Sequence, residues 1–246
     1  MATLLSRLIR KPRAIVTDQL FPYFFASLDH RRGGRHVAPL NGQDGRAAIM
    51  EAIVRICTIE QIVETGTYRG ATTAWFTQFG LPVHTVEANR RFAHLARLRF
   101  ASEPLVHAFE MDSATFLEAL ANEDKLTGAV TLFYLDAHWG ERLPLAEELR
   151  TVARAFTSSV VVVDDFRVAD DPDYGFDDYG PGKRLDLEYV MTTGVSGLTA
   201  FFPALAGAKE TGARRGCVVL TTHVGLADKL RGLPLLRPYP MVTPRP

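Results

Sequence analysis

Cysteine is nearly absent from this chain, and so is any surplus of charge. Cys57 and Cys217 are the only cysteines among 246 residues. One falls in a helical pattern and the other in a strand pattern, so both are expected as buried free thiols rather than as parts of a disulfide framework. Lys plus Arg and Asp plus Glu each number 28. Nucleic-acid binders ordinarily show a basic excess, so no nucleic-acid partner is expected. No apolar run reaches the roughly 20 residues that span a membrane. Ser6, Arg7 and Arg10 interrupt the apolar stretch at the amino terminus, where a signal peptide would be continuous. A cytoplasmic, reducing setting is the expectation. Two phosphate-binding signatures are missing as well: the chain contains neither G-x-x-x-x-G-K-S/T nor G-x-G-x-x-G.

What is present is a core. Apolar residues make up 47% of the chain, and the length suits one large α/β domain with additions. The organising stretch is Ile62-Val63-Glu64-Thr65-Gly66-Thr67-Tyr68-Arg69-Gly70: an apolar run ending in an acid, a turn with two glycines, and a helical pattern from about Ala71. Strand, tight turn and helix is how an open parallel sheet presents a nucleotide-like ligand. Upstream, Asp44 is placed to cap a helix over about 45–57, with Ile49, Ala52, Ile53 and Ile56 on one face. Downstream, strands are predicted at 83–87, 106–110, 130–135 and 160–163, separated by helical patterns, and two closing strands at 197–202 and 216–220. The fold class is therefore α/β, a Rossmann-like doubly wound sheet, mostly parallel with an antiparallel closing strand and helices on both faces.

The strands end in acids: Glu64, Glu87, Asp136 and Asp164, with Asp112 just beyond the third. In a parallel sheet those ends share one edge, and buried strands need no terminal acid, so a functional edge is expected there. Taken singly, each acid has a plain alternative as a helix cap or a solvated turn residue. An acid ending the second strand can accept hydrogen bonds from ribose hydroxyls. Asp136, Asp164 and Asp165 form a hard-oxygen set of the kind that takes Mg²⁺, or Mn²⁺, with retained waters. From 167 to 184 periodicity disappears, in a run with five aspartates and three aromatics that is expected to act as a substrate loop or lid.

Glu64-Thr65-Gly66-Thr67-Tyr68-Arg69-Gly70 resembles the E-x-G-x-x-x-G first motif of class I S-adenosylmethionine (SAM)-dependent methyltransferases. The resemblance runs over about 45–220 and implies SAM as cofactor. It places Glu64, Gly66, Thr67, Tyr68 and Gly70 at the cofactor turn, Glu87 and Ala88 at the ribose, Asp112 and Ser113 at the adenine, and Asp136 beside them. Phe133-Tyr134-Leu135-Asp136-Ala137-His138-Trp139 resembles the strand-4 end of catechol O-methyltransferase, and Val162-Val163-Asp164-Asp165-Phe166 the strand-5 end of Mg²⁺-dependent macrolide-sugar O-methyltransferases. That implies a metal on Asp136, Asp164 and Asp165. The lysine base of the catechol enzymes has no counterpart in Gly140-Glu141-Arg142. His138 is the substitute base, since imidazole takes protons near neutral pH; its plain alternative is a bond to a loop carbonyl.

The expected activity is metal-dependent O-methylation of a small-molecule or sugar hydroxyl, with a non-catalytic SAM-fold module or another enzyme on the same fold as alternatives. Three segments are expected: an extension over 1–40, the catalytic domain over 41–225 and a Pro-rich extended tail over 226–246. In the extension, Leu4, Leu5, Leu8 and Ile9 share a helical face beside Arg7, Arg10, Lys11 and Arg13. It is expected to pack on the core or on a second subunit in a homodimer, with contact to a membrane surface as the lesser reading.

Overall fold

The computed structural model describes residues 22–31, 38–138 and 143–240. The chain begins with α1 (Pro22–Arg31) and α2 (Asp44–Ile56). It continues through β1 (Gln61–Thr65), α3 (Ala71–Phe76), β2 (Val83–Glu87), α4 (Arg90–Arg99), β3 (Val106–Glu110), α5 (Ser113–Leu120), the short α6 (Asp124–Thr127), β4 (Thr131–Leu135), α7 (Leu145–Ala155) and β5 (Ser159–Val163). It closes with α8 (Leu187–Thr192), β6 (Thr199–Pro203), β7 (Val218–Thr221), α9 (Val224–Arg231) and β8 (Leu236–Tyr239).

The strands form one sheet in the order β3-β2-β1-β4-β5-β7-β6-β8. β1 to β5 are parallel, whereas β7 runs antiparallel between β5 and β6. Side-chain alternation divides each central strand between two cores. Ile62, Leu132, Tyr134, Val160 and Val162 face α2, α3 and α9, while Val63, Phe133, Leu135, Val161 and Val163 face α5, α7 and α8. Burial on both faces explains the unbroken β-branched run of β5. Strand order reverses between β1 and β4, which opens a crevice at their carboxyl ends.

Two expectations need correcting. Asp44 does not cap α2; it is the first helical residue, after Gln43. The stretch expected as an extended tail carries most of α9 and all of β8, a further antiparallel strand on β6. Pro238 pairs with Phe201 there, and proline is tolerated because β8 is the outermost strand. Within the extension, 22–31 is a helix packed on α4, with Asp29 paired to Arg91 at 2.6 Å and the Tyr23 ring edge-on to His94. The amphipathic face at Leu4–Ile9 lies outside the described residues. No described helix is long and apolar enough to cross a membrane.

Candidate cofactor and acceptor site

The turn after β1 depends on a close backbone approach. Gly66 has φ +89°, and a Cβ there would lie 2.3 Å from the carbonyl oxygen of Asp136 at the end of β4. Gly70 starts α3 at φ +71° against the Phe100 ring. Gly66→Ala is accordingly expected to cost about 1–3 kcal/mol in backbone strain alone, with the clash added, and to shift the urea midpoint and abolish binding in the crevice together.

Around this turn the predicted cofactor residues separate into two groups. Glu87 ends β2 half-buried, with its carboxylate accepting the backbone N–H of Tyr68 at 2.7 Å and of Asn89 at 2.8 Å. Tyr68 and Ala88 are exposed beside it. Glu64 turns the other way. It is 1% exposed and accepts the hydroxyls of Thr73 at 2.5 Å and Thr85 at 2.6 Å, while Thr67 bonds Thr85 at 2.6 Å. Glu64 and Thr67 thus brace β1 against β2 and α3 and do not face the crevice with their side chains. Burial raises the Glu64 carboxyl to about 7 despite its two threonine donors. Asp112 caps α5 through the N–H of Thr115 at 3.0 Å. Ser113 is buried near Glu148 of α7, whose wholly buried carboxylate also sits near Thr65. Neither hydroxyl reaches Glu148 in normal hydrogen-bond geometry, and burial raises that carboxyl to about 7.

The three predicted metal ligands have different partners. Asp164 is 1% exposed and is surrounded by donors: the Arg46 guanidinium, the Tyr134 hydroxyl, the Asn41 amide at 3.1 Å and the Asp165 N–H at 2.6 Å. Asp165, at φ +53°, accepts Arg215 Nε at 2.6 Å. The same guanidinium reaches Asp177 in the 167–184 segment. Asp136 is half-buried and accepts no hydrogen bond from the described residues; burial foremost, then the nearby Asp165, holds it well above the usual carboxylate range. No metal-ligand group forms among the described residues.

His138 is also turned inward. It is 2% exposed, Nε2 lies 3.1 Å from the Leu135 carbonyl oxygen, and burial lowers its pKa to about 4. An imidazole so desolvated is a poor proton acceptor, so the geometry follows the carbonyl-bonded alternative. The 167–184 segment is pinned across the strand ends. The Asp177 N–H donates to the Asp165 carbonyl at 2.9 Å, and the Tyr179 hydroxyl lies against both Asp177, at 2.6 Å, and the His138 carbonyl. A cleft of about 560 Å³ between Asp178–Arg184 and α8 shares no lining residue with the carboxylate cluster.

Arg46, Tyr134, Asp177, Glu148 and Arg215 were missed from sequence. Arg46 left a signal: it lies one turn before Ile49 and Met50, on the apolar face of α2, where a charge needs a buried partner. Nothing local marks Arg215 or Asp177, 38 residues apart.

No family profile matches the chain, and no curated protein matches it by sequence. Solved structures do resemble it. A presumed O-methyltransferase from Klebsiella pneumoniae aligns over 91% of this chain and 96% of its own, with TM-score 0.53 and 19% identity. A presumed caffeoyl-CoA O-methyltransferase from Staphylococcus aureus aligns over 89% and 96%, with TM-score 0.51 and 13% identity. At such identities the likeness is one of architecture: this chain shares its Rossmann-like α/β fold with these two structures.

Proposed function

We propose that the chain is a SAM-dependent O-methyltransferase acting on a hydroxyl of a small molecule. The observation that carries this reading is the placement of two half-buried carboxylates, Glu87 and Asp136, on either side of the bare Gly66 backbone at the strand-order reversal. A SAM molecule suits that cradle: Glu87 accepts from ribose hydroxyls, and Gly66 lets the ligand approach the main chain. SAM supplies an electrophilic methyl group bonded to a positively charged sulfur. With SAM bound, Asp136, whose affinity for protons is raised, would take the proton of the acceptor hydroxyl as its oxygen bonds the methyl carbon and the methyl–sulfur bond breaks, leaving S-adenosylhomocysteine. His138 keeps the β4 end in place through the Leu135 carbonyl. The pinned 167–184 segment shields the carboxylates from water.

A divalent ion on Asp136, Asp164 and Asp165 does not fit the residues present, because Arg46 and its companions already use the oxygens of Asp164. Among the described residues, Asp136, Asp164, Asp165 and Asp177 face the guanidiniums of Arg46 and Arg215. That balance favours a neutral or cationic acceptor over a phosphate or carboxylate.

Calorimetric titration of S-adenosylhomocysteine into wild type and Glu87→Ala tests the reading. Wild type is expected to bind, and the variant to bind at least about tenfold more weakly, the equivalent of about 1.4 kcal/mol. Absence of binding to well-folded wild type would sink the proposal. Binding without turnover on any hydroxyl acceptor would favour the non-catalytic module.

A further inference from the structure

We infer that Arg46 and Arg215 are the resident cations of the carboxylate cluster at the ends of β4 and β5, held by ion pairs where the sequence places a divalent ion. Asp164 is already filled with donors. A carboxylate offers about four lone-pair directions, and four protein donors point at this one: Arg46, Tyr134, Asn41 and the Asp165 N–H. Mg²⁺ would need those lone pairs in near-ideal octahedral geometry. To make room, the Arg46 guanidinium would have to leave. It cannot lose its charge, it is 1% exposed, and its other terminal nitrogen is held by the Arg215 carbonyl.

The second arginine is built in just as firmly. Buried Gln43 grips its backbone twice, donating to the Arg215 carbonyl at 3.0 Å and accepting the Arg215 N–H at 2.7 Å. The guanidinium then forks, with Nε on Asp165 at 2.6 Å and a terminal nitrogen on Asp177. Gln43 and Arg46 lie one turn apart at the start of α2, so a single helix end fixes both cations. A divalent ion beside two guanidiniums would meet repulsion instead of an open set of oxygens. Arg215 is also the clasp of the 167–184 segment, because its fork joins strand end to loop. Both arginines are positioning residues: they set the carboxylates and the loop in place, and proton removal falls to Asp136.

The test is Mn²⁺ titration of the full-length protein, read by electron paramagnetic resonance of the free ion, on wild type, Asp165→Asn and Arg215→Met. Wild type is expected to show no saturable site. Arg215→Met leaves Asp165 and Asp177 without their counter-ion near Asp136, and is expected to take up one saturable Mn²⁺ per chain where wild type takes up none. One saturable Mn²⁺ on wild type, lost in Asp165→Asn, would overturn the inference. A folded Arg215→Met with no gain would overturn Arg215 as the occupant, and should that variant fail to fold, the wild-type titration decides alone. The inference stands on the ion pairs and not on the cofactor: loss of S-adenosylhomocysteine binding would remove the methyltransferase reading and leave the Mn²⁺ result intact.

Discussion

Arg46→Met is expected to destabilise the protein by about 3–5 kcal/mol, the usual cost of leaving one member of a buried ion pair alone. Both partners are 1% exposed, so no water replaces the lost guanidinium. Asp164 would retain Tyr134, Asn41 and its neighbour's N–H as donors but no counter-charge. Its easiest relief is to bind a proton, so the penalty should shrink at low pH and grow as pH rises. Arg46→Met combined with Asp164→Asn should recover much of the loss, because the second change removes the stranded charge and keeps an acceptor for Tyr134. Urea denaturation of the three proteins at pH 5 and pH 8 measures this. A single-variant loss below about 1 kcal/mol, the range of exposed pairs, would mean that the pair is not sealed from water.

Glu148→Gln is expected to act in the opposite direction, stabilising the protein at pH 8 by up to about 3 kcal/mol. Burial raises the Glu148 carboxyl from 4.5 to about 7; Ser113 and Thr65 oppose the shift and Glu147 adds to it. The folded state therefore keeps a proton between those values that the unfolded chain has released. Folding stability falls as pH rises through that window, and is level below it and above it. Glutamine cannot ionise, and its amide can donate to the Thr65 hydroxyl, which makes no hydrogen bond to the described residues. Glu64 is raised to about 7 as well, so the variant should retain the part of the pH dependence that Glu64 causes. Urea midpoints from pH 4 to pH 9 give the answer. An unchanged profile would show that Glu148 is already ionised in the folded protein.

Much of this molecule could be read one strand at a time. The β-branched run at Val160–Val163, the acids at the ends of β1, β2, β4 and β5, and Asn89 capping α4 through the Arg91 N–H all follow from local pattern. The parallel sheet follows from their alternation with helices. A proline-rich run reads locally as a tail, and only the position of β8 at the sheet edge makes Pro238 tolerable.

The site itself was half legible. Sequence alone determined that Glu64, Glu87, Asp136 and Asp164 would collect on one edge, because a strand's end is a local property and parallel pairing brings such ends together. It also required glycine at position 66, where the chain turns tightly. What each acid does there was decided by groups distant in the chain. Thr73 and Thr85 draw Glu64 inward, and Arg46, 118 residues before Asp164, takes up the carboxylate that the sequence offered to a metal. A carboxylate's role depends on which donors reach its lone pairs first, and only the packing of α2 against the ends of β5 and β7 determines that.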